Sequence, residues 1–171
     1  MQTPIQAPTR STETKPAGRT TLRRGSLCLL GALAATTLAM APAAHAVTPE
    51  TATLSFDCGS YGSGTATLKA AQDGTAATIE VSTQAITAPV PIGANSVEST
   101  LTLARNGTDT TTFTGSSNPA IPAGAAVSTG PLDGTVASGD SLEAKTLTVV
   151  VFGITAECTA ASPQNPGPFV F

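Results

Sequence analysis

Two cysteines, each preceded by a carboxylate, are the residues whose types and spacing are most suited to chemistry. Asp57 precedes Cys58, and Glu157 precedes Cys158. Two carboxylates within about 10 Å of each other can act as general acid and base in glycoside hydrolysis. That geometry requires the cysteines to lie on neighbouring strands of one sheet, because only then do both carboxylates share a face. Two solvated strand residues are the simpler interpretation, and we predict no catalytic residue.

The cysteines themselves are predicted to form a disulfide bond. Cys58 and Cys158 are the only cysteines after residue 46. An even pair in a secreted protein is interpreted first as a disulfide, because the compartment is oxidising. Closing a loop of about 100 residues would stabilise the fold by ~4–5 kcal/mol in the chain-entropy model. The pair therefore closes the fold rather than performing chemistry.

Residues 1–46 have the composition of an N-terminal extension and a secretory signal peptide. Five of the eight Lys and Arg residues lie there, ahead of the apolar run 26–41. Ala44-His45-Ala46 supplies the small-x-small pattern at which signal peptidase cleaves. The run of about 16 residues is shorter than the ~20 that span a bilayer. We predict a secreted protein, extracellular or associated with the cell envelope, without a membrane span after cleavage.

The segment that follows lacks most of the side chains used in catalysis and metal binding. Residues 47–171 are 125 in number, a one-domain length, and contain no His, Met or Trp. Without imidazole there is no Ser-His or Cys-His pair and no His-ligated zinc, so we predict no metal and no cofactor. Three basic residues against ten acidic ones give this segment a net charge of −7. Such a surface repels phosphate, so nucleic acid is excluded as a partner.

Apolar and polar residues alternate with a period of two, which is typical of half-buried strands. TATLSFDC (51–58), AATIEVS (76–82) and SVESTLTL (96–103) all show it. TVVVFGI breaks the alternation and indicates a strand buried on both faces or a bulge near Gly153. Asp-Gly at 73–74 and 133–134 and Asn-Gly at 106–107 are expected to join or end strands. The strands are predicted at about 51–58, 65–71, 76–86, 96–105, 109–115, 125–129, 134–137 and 142–158, the last open to division.

This pattern predicts an all-β fold. We expect an immunoglobulin-like β-sandwich of about seven to eight antiparallel strands with one disulfide, spanning residues 47–160; a small β-barrel is the alternative. The Pro-rich tail 161–171 can pack along a sheet edge, reach another molecule or stay disordered. Tyr61, in the loop GSYGSG, and Phe169 and Phe171, in the tail, are the candidate surface contacts. Tyr61 can equally fold over the end of the sandwich.

The segments LSFDCGSYGSGTATL, FTGSSNPAIPAG and LTVVVFGITAEC give the chain a layout that resembles small secreted β-sandwich proteins of actinobacteria. That resemblance implies a fold and a compartment and transfers no functional residues. The chain is more loosely similar to the actinomycete apoproteins that sequester enediyne antibiotics, which are acidic, secreted and immunoglobulin-like. Those proteins usually carry two disulfides, one beside the ligand cleft, whereas this chain has cysteines for only one.

Three functions follow from these observations, in order of preference. The first is a non-enzymatic extracellular or envelope module, binding or structural, whose partner is a protein or a glycan. The second is a small-molecule carrier with an apolar cleft lined by residues such as Tyr61, Phe113 or Phe152. The third is a hydrolase that uses Asp57 and Glu157 alone.

Overall fold

The structure, a computed structural model, describes residues 46–171, so the predicted extension and signal peptide lie outside the described residues apart from Ala46. This part of the chain folds into strands and one 3₁₀ turn at Gly59–Tyr61, without an α-helix. It contains no helix long and apolar enough to cross a membrane. The strands are β1 (Thr51–Asp57), β2 (Ser63–Asp73), β3 (Ala76–Thr87), β4 (Glu98–Arg105), β5 (Asp109–Gly115), β6 (Ala126–Thr135), β7 (Ser141–Val151), β8 (Ile154–Ala160) and β9 (Phe169–Val170).

Eight of these strands form a closed antiparallel barrel. Their order is β4-β5-β6-β3-β2-β1-β8-β7, and β7 pairs back onto β4 over the whole length of β4. The strand pairing around the barrel is shortest between β5 and β6, where Thr114 and Asp133 form the one paired position. The all-β prediction with one disulfide is confirmed. The closed circuit fits the small-barrel alternative rather than the sandwich, because β7 is hydrogen-bonded to both β4 and β8 and no gap divides two sheets.

The C-terminal tail completes the barrel wall between β1 and the start of β7. Thr53 and Asn165 exchange backbone hydrogen bonds of 2.7 and 2.8 Å, and β9 pairs with the first residues of β7. Period-two alternation then turns Phe169 and Phe171 inward, where they are 0% and 5% exposed, while Val170 faces solvent. The expectation that these two phenylalanines contact a partner is therefore wrong.

Large side chains fill the end of the barrel that the tail closes. Phe113 and Phe169 are fully buried there together with Leu103 and Leu142. A Cβ at Gly134 would lie 2.6 Å from the Phe113 ring, so this glycine permits close packing. Asp133-Gly134 forms no turn, because both residues pair with β3. β6 ends one residue later, at Thr135, so the expectation holds for the strand end and is wrong for the turn.

Two predicted hairpin turns are confirmed, and a third hairpin was not predicted. Asp73-Gly74 joins β2 to β3, and Asn106-Gly107 joins β4 to β5 with φ angles of 54° and 81°. The long predicted strand 142–158 divides at Phe152-Gly153, because Val151 pairs with Ile154 across a two-residue turn. A hairpin, rather than a bulge or a doubly buried strand, explains the unbroken apolar run.

Candidate functional site

An apolar cavity of about 470 Å³ lies at the other end of the barrel, where β1 ends and β2 begins. This volume is within the range of about 300–1,000 Å³ that is typical of small-molecule sites. The wall is built almost entirely from aliphatic and aromatic side chains, and among residues 46–171 no Asp, Glu, Lys or Arg lines it. The site therefore offers contact area and shape rather than charge.

The disulfide forms part of the cavity wall. Cys58 and Cys158 are bonded to each other, and their Cα atoms lie 3.9 Å apart. They continue the register in which Asp57 pairs with Thr159, so the bond joins neighbouring strands β1 and β8 rather than two sheets. Both sulfur-bearing side chains are buried and face the cavity. The predicted disulfide is confirmed, and its position shows that it also shapes this end of the barrel.

A bulge in β7 decides which of its side chains reach the cavity. Thr102 pairs with Thr146 but Leu103 pairs with Ala144, which leaves Lys145 without a register partner on β4. The inward set therefore changes from even to odd positions along the strand. The apolar residues that reach the cavity from this strand are Leu147, Val149 and Val151.

The loop 88–97 forms the roof of the cavity, and one buried amide joins it to the neighbouring loop 116–125. Asn118 is 1% exposed, and its Oδ1 accepts hydrogen bonds from the backbone N–H groups of Ser96 and Val97, both at 2.8 Å. Its Nδ2 donates to the carbonyl oxygens of Gly93 and Pro119, also at 2.8 Å. All four hydrogen-bonding positions of the amide are used, so Asn118 holds the roof loop 88–97 against loop 116–125. The sequence predicts that Asn118 lies in a loop, but it gives no indication that this side chain joins two loops.

Exposed apolar side chains surround the mouth of the cavity. We call Tyr61, Val90, Phe152 and Ile154 the rim; they are 50%, 50%, 64% and 52% exposed, and all four line the cavity. Phe152 has a φ of 52°, a left-handed conformation that is a genuine outlier for a bulky residue. Exposed apolar patches beside a cavity mark binding surfaces.

Hydroxyl groups supply the polar side-chain atoms of the wall, and the inner ones are already bonded. Thr83 Oγ1 donates to the carbonyl oxygen of Thr65 at 2.8 Å and accepts from the N–H of Ala85. Thr129 Oγ1 donates to the carbonyl oxygen of Gly130 at 2.7 Å and accepts from the N–H of Val81 at 3.1 Å. The Tyr61 and Thr87 hydroxyls, both on exposed residues, form no hydrogen bond within residues 46–171. The side-chain hydroxyls that are free to bond to a ligand therefore lie at the mouth of the cavity.

The aromatic residues singled out from the sequence divide between the cavity and the filled end of the barrel. Tyr61 and Phe152 line the cavity, as the carrier hypothesis expects, and Tyr61 remains a predicted contact. Phe113 is buried at the filled end of the barrel, so that part of the predicted cleft is wrong.

The carboxylates Asp57 and Glu157 are exposed on the outer face of the barrel, because they alternate with the inward cysteines. Asp57 Oδ1 accepts a hydrogen bond of 2.9 Å from the Gly59 N–H and so braces the 3₁₀ turn. Because the disulfide joins neighbouring strands, the two carboxylates share a face, as the hydrolase hypothesis requires, but neither lines the cavity. The cavity therefore gives that hypothesis no support. Within residues 46–171, no group of three or more His, Cys, Asp or Glu residues is placed to hold a metal ion.

Comparison of the chain with known proteins returns no match among family models, curated proteins or solved structures.

Proposed function

We propose that this protein binds a small apolar molecule in the barrel-end cavity and carries or sequesters it outside the cell. The observation that carries the proposal is a 470 Å³ cavity whose lining, within the described part of the chain, has no charged side chain and whose inner hydroxyls are already hydrogen-bonded. The signal peptide predicted in residues 1–46 and the Cys58–Cys158 disulfide support an extracellular setting.

The driving force is the release of poorly bonded water. A buried water needs two to four polar partners, and the inner wall of this cavity has few to give. A ligand that covers about 300 Å² of apolar surface gains ~7 kcal/mol at ~25 cal/mol per Å². That gain alone corresponds to a dissociation constant of about 7 μM, and immobilising the ligand offsets part of it, so we expect a dissociation constant of roughly tens to hundreds of micromolar.

A small-molecule carrier explains more of the structure than the protein- or glycan-binding module that the sequence composition favours. A protein- or glycan-binding module would explain the exposed rim, but it gives no role to the cavity behind it. A carrier uses both, because the rim guides an apolar molecule to the opening and the wall then encloses it.

The test is a fluorescence titration of the purified protein with N-phenyl-1-naphthylamine, a neutral probe that brightens in apolar surroundings. Ala156 points into the cavity from β8, and its neighbour Thr155 is exposed on the outer face. Ala156→Phe fills cavity space and should weaken probe binding at least tenfold, whereas Thr155→Phe should bind like the wild type. Both variants should keep the wild-type circular dichroism spectrum.

Two results would overturn the proposal. One is the absence of saturable probe binding by the wild-type protein. The other is a folded Ala156→Phe variant that binds the probe as tightly as the wild type does. If Ala156→Phe does not fold, Val149→Phe replaces it, because Val149 lines the same cavity from β7.

A further inference from the structure

The placement of polar and charged groups around the cavity points to the chemical class of the ligand. We infer that the ligand is a neutral amphiphile: an uncharged molecule with an apolar body and one hydroxyl-type polar end, which enters with its apolar end first. This inference rests on the proposed binding function and specifies which molecules the same cavity prefers.

An anionic ligand would find no counter-ion at this end of the barrel. Residues 47–171 contain three basic side chains, and none lines the cavity. Lys69 is exposed on β2 at the level of Thr51, near the filled end. Arg105 donates to the carbonyl oxygen of Thr135, where β6 ends, and Lys145 pairs with Glu143 at 2.7 Å. Burying a carboxylate without a partner is strongly unfavourable, so fatty-acid-like anions are disfavoured.

A cationic ligand is disfavoured by the wall itself. The excess of acidic residues attracts cations to the protein as a whole, but no carboxylate lines the cavity. An ammonium group inside would lose its hydration without gaining a charged partner. Long-range attraction of this kind raises the rate of encounter more than it stabilises the bound state. The cavity therefore favours molecules without net charge.

The free polar groups set the orientation of the ligand. Among the cavity-lining residues that the structure describes, Tyr61 and Thr87 carry the hydroxyls without a hydrogen bond in residues 46–171, and both are exposed at the mouth. The adjoining segment Pro89-Val90-Pro91 contains two residues without a backbone N–H, so this part of the rim contributes few donors. A single hydroxyl or carbonyl group at the outer end of the ligand can bond to Tyr61, while the apolar body contacts the disulfide and the aliphatic wall.

Competition experiments test this inference. The probe N-phenyl-1-naphthylamine is bound to the wild-type protein and displaced by 1-decanol, by decanoate at pH 8 and by decylammonium at pH 7, each below its aggregation concentration. We expect 1-decanol to displace the probe at concentrations at least tenfold lower than either ion. Within a series of primary alcohols, each added methylene should improve displacement about fourfold, as expected for a buried CH₂ group.

A variant of Tyr61 tests the orientation separately. Tyr61→Phe keeps the ring and removes the hydroxyl, so it should weaken the binding of 1-decanol about three- to tenfold relative to the binding of the probe, measured in the same variant. Equal or stronger displacement by decanoate or decylammonium would overturn the inference, and so would a Tyr61→Phe variant whose alcohol affinity relative to the probe is unchanged. Both outcomes leave the proposed function intact, since probe binding itself is preserved. Failure of the probe to bind would instead remove the proposed function.

Discussion

The turn at Phe152-Gly153 permits a prediction in which stability and binding change in opposite directions. Both residues have positive φ, at 52° and 74°, as a two-residue type I′ turn requires. Such a conformation costs an ordinary L-residue roughly 1–2 kcal/mol, whereas Asn tolerates it, and Asn-Gly is the preferred pair for this turn. Phe152→Asn should therefore relieve backbone strain.

The net stabilisation is smaller than the strain itself. Phe152 is 64% exposed, so only about a third of the side chain is buried. If Phe buries about 20 Å² more apolar surface than Asn, the substitution forfeits ~0.5 kcal/mol. We expect Phe152→Asn to raise the free energy of unfolding by ~0.5–1.5 kcal/mol, measured by urea denaturation followed by circular dichroism.

Ligand affinity should fall in the same variant, because the ring contributes to the mouth of the cavity. Losing about 40 Å² of apolar contact corresponds to ~1 kcal/mol, or roughly fivefold in the dissociation constant of the probe. Phe152→Ala is the matched control: it removes the ring but keeps a strained residue, so it should lose affinity without gaining stability. A Phe152→Asn variant that is less stable than the wild type, or that binds the probe equally well, would refute the reasoning.

Three further predictions concern the parts that hold the cavity in place. Asn118→Ala should lower the free energy of unfolding by ~2–4 kcal/mol because it leaves buried roof groups unbonded, whereas the exposed Ser116→Ala should change it little; urea denaturation distinguishes them. Deleting residues 169–171 should destabilise the barrel by at least ~3 kcal/mol, measured in the same way, because two buried phenylalanines leave the filled end. Replacing Cys58 and Cys158 together by Ala should cost ~2–5 kcal/mol and lower the thermal midpoint, and an unchanged midpoint would contradict the role of the disulfide.

Local sequence signals anticipated most of the strands. The alternation in 51–58 and 76–82 predicts β1 and β3 with their inward residues, because one face of each strand packs on a core while the other faces solvent. Asn106-Gly107 identifies its hairpin because few other pairs accept two positive φ angles. Strand alternation and this turn are both determined by residues that are adjacent in the chain, so they can be predicted from a single sequence.

Features that depend on distant residues escaped sequence reasoning. The barrel is closed by the pairing of β4 with β7, about 45 residues apart, and no local pattern reports a partner at that distance. Phe152 gives no turn signal, since a phenylalanine at positive φ contradicts ordinary turn chemistry. Small side chains such as Ala66 and Ala156 line the cavity, and the space they leave unfilled has no signature in the sequence.

The most direct test of the central claim is a ¹⁵N–¹H NMR titration of the purified protein with 1-decanol. The account predicts saturable amide shifts concentrated around the cavity, at Tyr61, in the segment 87–90 and along the β7–β8 hairpin, with little change around Phe113 and Phe169 at the filled end. Shifts that do not saturate, or that concentrate at the filled end, would contradict it.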